Sequence, residues 1–220
     1  MTALLSLARH VFACTACPAM RYSHVLGAAN GSPKARVMFV GEAPGRLGAG
    51  RSGVPFLGDE SGRRFEALLA LAGLRRDEVF VTNAVLCNPV DPRGRNRRPG
   101  VADVERCLPF LQSQVEAVDP EFVVALGGVA LAALGRIEAH GLRLRRDCGG
   151  CVAWYGRRLL PLYHPGRRAL VHRGEDAQRA DWLRLRQLVP GPEAGQSAAA
   201  TRNSMRRALS GAAGVRQTTW

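Results

Sequence analysis

The stretch Arg36-Val-Met-Phe-Val-Gly-Glu-Ala-Pro-Gly45 constrains this chain more than any other. Val37 to Val40 is an unbroken apolar run, the pattern of a strand buried on both faces of a parallel sheet. Pro44 and the glycines around it cannot continue a sheet, so the run must end in a turn. A glycine-rich loop follows, reaching Gly53-Val-Pro-Phe-Leu-Gly-Asp-Glu-Ser-Gly62, and a helix is expected to open near Asp59 to Ser61. In an open α/β sheet, ligands bind in the crevice beyond the carboxyl ends of the strands. Glu42 therefore stands where a catalytic carboxylate would be placed. Capping of a helix is the other use of a glutamate at such a turn.

The rest of the chain repeats the alternation. Met1 to Ala13 has the apolar spacing of a short amphipathic helix and delivers Cys14-Thr-Ala-Cys17. Residues 18–35 carry turn signals at Gly27, Asn30-Gly31 and Pro33. Arg63 to Ala72 has helical spacing and stops at Gly73; Val79 to Asn83 is a second strand that runs on to Cys87. Asn88 to Gly100 is a loop with three prolines and four arginines, Arg93 to Arg98, that is either a DNA contact or a solvated charged loop. Val101 to Val118 reads as a helix, Glu121 to Leu126 as a third strand, and Gly127-Gly128 as the start of a short helix to Leu134. His140 to Cys151 is irregular. Arg158 to Tyr163 is a last strand ending in His164-Pro165-Gly166, and Arg167 to Leu188 reads as the closing helix. Strands alternating with helices predict one α/β domain over 1–189, with a central parallel sheet of about four strands flanked by helices. The composition of 190–220, mainly Ala, Gly, Ser and Arg, predicts a disordered basic tail.

Composition narrows the function classes. Apolar residues make up 46% of the 220, enough for a globular core. No run of 18 apolar residues is present, and the N-terminus has no secretory pattern, so a cytoplasmic protein without a membrane span is expected. The formal net charge of +13 points to a polyanionic partner, most simply nucleic acid. Lys34 is the only lysine, so nearly all of that charge is arginine, the side chain suited to planar contact with phosphate and bases. A Schiff-base mechanism has only Lys34 or the N-terminal amine to draw on.

Six cysteines remain to be placed: Cys14, Cys17, Cys87, Cys107, Cys148 and Cys151. Cys14, Cys17, Cys87 and Cys107 come from a turn, a strand end and a helix. Four thiolates so distributed can close around an iron–sulfur cluster or around zinc, and the spacing does not choose between them. Cys148-Gly-Gly-Cys151 has no further pair to complete a metal site and reads as a free pair, with a hairpin turn at Gly149-Gly150 as a use for the glycines.

Taken together, these residues resemble the uracil-DNA glycosylase superfamily, most closely its iron–sulfur family 4. The motifs that carry the resemblance are Cys14-x-x-Cys17, Val40-Gly-Glu-Ala-Pro-Gly45, Pro55-Phe56 with Gly58, Asn83 to Cys87, Cys107-Leu-Pro-Phe-Leu with Gln114, and His164-Pro165. Gly48-Ala-Gly-Arg-Ser-Gly53 and Gly58-Asp-Glu-Ser-Gly62 look more like family 5, which usually lacks an acid at the position of Glu42. The resemblance implies a monofunctional, monomeric glycosylase that removes uracil from DNA, with other deaminated bases as further candidate substrates. It also implies a structural 4Fe–4S cluster held by Cys14, Cys17, Cys87 and Cys107.

The same resemblance assigns roles. Phe56 would stack on the extruded base, Asn83 would pair with N3–H and O4 of uracil, and the backbone at Gly41 would contact the base. His164 would stabilise the departing uracil anion, and Glu42 would act on the attacking water. Arg167 and Arg168 would contact DNA where the family inserts a loop into the duplex. The loop Asn88 to Gly100 has no histidine to form a covalent bond with the abasic sugar, and the lysine scarcity argues against a lyase. Two other classes stay open on sequence: a catalytically silent iron–sulfur DNA-binding protein, and a zinc-ligated α/β hydrolase acting on nucleotides.

Overall fold

The computed structural model describes residues 3–18 and 20–189. Helix α1 (Ala3–Phe12) leads to a two-residue strand β1 (Met20–Arg21) and a single 3-10 turn at Ala28–Asn30. Strand β2 (Val37–Gly41), helices α2 (Ala49–Ser52) and α3 (Glu60–Leu71), and strand β3 (Phe80–Asn83) follow. Then come β4 (Asn88–Pro89), α4 (Val101–Val118), β5 (Phe122–Leu126), α5 (Gly128–Ile137) and α6 (Leu144–Asp147). The described chain closes with β6 (Val152–Trp154), β7 (Arg157–Leu162), a 3-10 segment Arg167–Val171 and α7 (Glu175–Leu188).

Five strands form the main sheet in the order β3-β2-β5-β7-β6. The first four run parallel, as the alternation of strands and helices requires; β6 is an antiparallel edge strand, joined to β7 through Tyr155-Gly156. Each parallel strand is buried on both faces, so alternate residues supply two cores. Met38, Val40, Phe80, Val123 and Ala125 face α4 and α5, with α1 packed on α4. Val37, Phe39, Val81, Phe122 and Val124 face α3 and α7 through Phe65, Leu69, Trp182 and Leu185. The chain turns from β2 out to β3 on one side and reaches β5 on the other. The end of β2 is therefore the switch point of the sheet, where a crevice opens.

Three sequence expectations are corrected. The closing helix does not run from Arg167; Arg167–Val171 is 3-10, and α7 starts only after Gly174, whose φ of −56° and ψ of 164° are not helical. The irregular stretch after His140 contains α6 and leads into β6, whose three residues are too few for a period to register. Gly149-Gly150 is not a hairpin turn but the approach to β6: Gly149 has φ +77°, and its N–H donates to Pro161 O at 2.9 Å. The reading of 190–220 lies outside the described residues.

Candidate active site and groove

Glu42 follows the last residue of β2, and Asn83 is the last residue of β3. The register pairs Gly41 with Asn83, so the two strand ends lie side by side. A Cβ at Gly41 would come 2.5 Å from Asn83 Oδ1 and 3.0 Å from the Phe56 ring. The amide and the ring can approach each other only because residue 41 has no side chain. Phe56 reaches this point with φ +55°, a left-handed conformation uncommon for a bulky residue. It is held there by Phe65, with ring centroids 4.7 Å apart, and by close packing of Gly62 under its carbonyl.

His164 comes from the end of β7, across the switch point. Its ring lies 5.4 Å from that of Phe56. The Gly166 N–H donates to His164 Nδ1 at 2.9 Å, which leaves Nε2 as the N–H of the neutral imidazole. Burial pushes its pKa down to about 4, with only the charge of Asp59 acting the other way. The turn is clamped from α3, where Arg64 Nε donates to Pro165 O at 2.8 Å.

These side chains line one small pocket: Ala43, Gly45, Phe56, Asp59, Asn83 and His164, closed by Ala49 and Ser61. It opens into a wide groove lined by Glu42, Arg97, Arg98, Arg167, Arg168 and the start of α5 at Gly127-Gly128. His164, Ala43 and Ser61 line both, so the pocket is a side chamber of the groove. Glu42 stands in the groove at the chamber's mouth. Burial raises its pKa above the ordinary carboxylate value, and Arg98 and Arg168 offset part of that rise. Among the described residues, no hydrogen bond reaches the Asn83 side chain although it is buried.

The structure thus brings together Gly41, Glu42, Phe56, Asn83 and His164, and puts Arg167 and Arg168 on the groove's edge. Arg167 Nε is 3.2 Å from Glu60 Oε1. Asp59 and Ser61 were not singled out from sequence, and Arg98 only as part of the Arg93 to Arg98 loop. Asp59 is the N-cap of α3, its Oδ1 accepting from Gly62 N–H at 2.8 Å, and a capping aspartate before a helix gives no sign that it also faces a pocket. Val171, 86% exposed, stands on the same segment as Arg167 and Arg168.

The four cysteines gather at the edge of the α4-side core. Cys17 and Cys107 are buried in it and Cys87 packs against it. Burial, first, and then the neighbouring thiols raise the pKa of Cys107 to about 12, and those neighbours are Cys87, Cys17 and Cys14. Burial raises the pKa of Cys17 as well, and the charge of Arg106 acts against that rise. The loop over them is fixed by His24, whose Nε2 lies 2.8 Å from Cys14 O, and by Tyr22, whose hydroxyl donates to Cys17 O at 2.7 Å. Among the described residues, no group of three His, Cys, Asp or Glu side chains is placed to hold a single metal ion.

Comparison with known proteins agrees with the geometry. The family model of the uracil DNA glycosylase superfamily matches residues 28–186. The type-4 uracil-DNA glycosylase of Thermotoga maritima is 34% identical over 155 residues, covering 69% of this chain and 76% of that protein. The type-4 enzyme of Pyrobaculum aerophilum is 38% identical, over 69% of this chain and 77% of its own length. A type-5 uracil-DNA glycosylase from the same organism is 36% identical, over 61% of this chain and 63% of its own length, matching the mixture of motifs in the sequence. This chain belongs to the uracil-DNA glycosylase superfamily.

Proposed function

We propose that the chain is a monofunctional uracil-DNA glycosylase, hydrolysing the N-glycosidic bond of deoxyuridine in DNA and leaving an abasic site for repair. The observation that carries this reading is the convergence of Phe56, Asn83 and His164 on one chamber with Glu42 at its mouth. A base inside a duplex is out of reach, so the nucleotide must swing out into the chamber. The Phe56 ring takes one face of the base. The Asn83 carbonyl accepts from N3–H, and its amide donates to O4. Cytosine presents an acceptor and a donor in those places, leaving both buried amide groups unpaired, at a cost of about 1–3 kcal/mol each.

His164 acts as a neutral donor. With Nδ1 occupied by the Gly166 N–H, its Nε2–H is directed to O2 of uracil, where charge develops as the bond to N1 breaks. The bonding electrons leave with N1, and uracil departs as an anion. Glu42 orients a water on the opposite side of C1′; the water oxygen bonds to C1′ and its proton passes to the carboxylate. The same negative charge favours the oxocarbenium-like sugar. Gly41 lets the backbone approach the base edge. Arg167 and Arg168 contact the DNA backbone, with the net charge of +13 adding non-specific attraction.

Cys14, Cys17, Cys87 and Cys107 would hold a 4Fe–4S cluster. Their donor set is all thiol, with no carboxylate or imidazole among them, and each is close enough to be felt by the others. A set of four thiolates is what a 4Fe–4S cluster takes, one sulfur to each iron. Such a cluster would tie together the turn after α1, the residue before β4 and α4, and would carry no step of base release. A monomer acting on DNA in the cytoplasm, with residues 1–189 as the working domain, completes the reading. None of the described helices is long and apolar enough to cross a membrane.

The test is incubation of the purified chain with oligonucleotides carrying uracil, hypoxanthine, xanthine or thymine, single-stranded and opposite each base. Strand breaks that appear at uracil only after alkali support hydrolysis without lyase action. Intact strands on every uracil substrate would favour a silent DNA-binding protein.

A further inference from the structure

The loop between β4 and α4 carries four arginines, and their partners divide them. Arg95 Nε lies 3.0 Å from Asp91 Oδ2, and Arg97 Nη1 lies 2.6 Å from Asp103 Oδ2. Arg93 is exposed and is not part of the groove wall. Arg98 has no acidic partner within salt-bridge distance among the described residues, and it lines the groove. Its guanidinium reaches α5, where Nη2 stands 3.9 Å from the position a Cβ on Gly128 would take.

The backbone that delivers it is braced on both sides. Arg97 N–H donates to Pro89 O at 3.1 Å, and Arg97 Nη1 donates to Arg98 O at 3.2 Å. Pro99 is buried, and Gly100 N–H donates to Asp103 Oδ2 at 2.9 Å. A long side chain mounted on such a backbone loses less freedom on binding than one from a mobile loop.

Charge then says what is missing from the balance. Arg98 and Arg168 both act on Glu42, one from each wall of the groove. The start of α5, the positive end of a ten-residue helix, lies beside Arg98. Of the groove's two carboxylates, Glu60 pairs with Arg167; Arg98, Arg168 and a helix N-terminus are left to share Glu42, which is committed to the water. The anion that the substrate itself brings is a phosphodiester, and the guanidinium fork fits its oxygens bidentately.

We propose that Arg98 binds the phosphate adjoining the flipped nucleotide and so holds the strand with C1′ over Glu42. The inference rests on the glycosylase reading and adds to it a residue that positions the strand.

The experiment uses the full chain as wild type, Arg98→Gln, Arg98→Lys and Arg93→Gln. Affinity is measured across salt concentrations on a duplex with one 2′-fluorinated deoxyuridine, whose glycosidic bond resists hydrolysis. Uracil release is measured under single-turnover conditions on the ordinary duplex. Arg98→Gln is expected to flatten the slope of log affinity against log salt by about one and to slow release about tenfold or more. Arg98→Lys should restore the slope but only part of the rate, since a point charge lacks the fork. Arg93→Gln should leave the rate unchanged. Wild-type slope and rate in Arg98→Gln, while the wild type releases uracil, would overturn this inference alone. A flattened slope with an unchanged rate would also overturn it, by placing the contact away from the reacting nucleotide. An equal loss of rate in Arg93→Gln would overturn it by making the effect one of general charge. Absence of uracil release by the wild type would overturn the glycosylase reading and this inference with it.

Discussion

At Gly41 the absence of a side chain is itself a structural requirement. Asn83 Oδ1 and the Phe56 ring occupy the space that a Cβ would need. Gly41→Ala should therefore displace the amide or the ring by a substantial fraction of an ångström, and single-turnover release of uracil should fall about a hundredfold, with the far-UV spectrum unchanged. Glu42 gives a second expectation at this scale. It works ionised, and burial holds its pKa above the ordinary carboxylate value. So kcat/KM should drop as pH falls through a value above 4.5, and Glu42→Gln should remove that acid limb along with most of the rate. His164, with its pKa near 4, stays neutral through this range and adds no inflection above it. Glu42, Asn83 and His164 were legible in the sequence because each stands at the end of an apolar run, where a parallel sheet must present it. Phe56 was legible through its motif. Its left-handed backbone was not, nor was the inward turn of Asp59 and Ser61, because these depend on glycines packing against them across the fold: Gly41 and Gly62 on Phe56, Gly45 and Gly48 on Asp59, and Gly166 on Ser61.

Among the elements, the segment between β7 and α7 departs most from its sequence pattern. Leu170, Trp182, Leu185 and Leu188 share a helical period, yet the chain breaks at Gly174 and only the second half is α-helix. What fixes the first half is a buried carboxylate. Asp181 accepts from Arg173 Nη2 at 2.6 Å and Nε at 2.9 Å, and the Cys148 thiol donates to it at 3.2 Å. Such a tertiary tie joins residues eight and 33 apart and leaves no periodic trace. Asp181→Asn removes the charge while Arg173, its side chain a third exposed, stays in place, and should lower the midpoint in denaturant with an unchanged slope. Because Arg173 ends the segment that carries Arg167 and Arg168, affinity for duplex DNA should weaken in the same variant. The antiparallel strand β6 was missed for a simpler reason: a three-residue edge strand carries no measurable period.

Across the whole molecule, two cores on a four-strand parallel layer bring distant strand ends to one rim, and Cys14, Cys17, Cys87 and Cys107 gather at the edge of the core that faces α4. That general plan was readable from the order of apolar runs and glycines. Arg167 and Arg168 were readable from their place after His164-Pro165-Gly166, but which arginine of the loop before α4 is left for the groove was not, since the ion pairs that occupy Arg95 and Arg97 appear only in three dimensions. On the proposal that the four cysteines hold a 4Fe–4S cluster, the purified protein should be brown, and Cys107→Ala should abolish that colour and lower the melting temperature, because the tie between α4 and the residue before β4 would be lost; release of uracil by the surviving folded fraction should be retained. The most direct measurement is single-turnover release of uracil from a duplex by wild type, Glu42→Gln and His164→Ala, with DNA affinity measured alongside. Loss of rate by a factor of about a hundred or more in each variant, with affinity within a few-fold of wild type, is the expected result. Wild-type rates in either variant would contradict the assignment of that residue, and wild-type rates in both would mean that the reaction takes place elsewhere on the molecule.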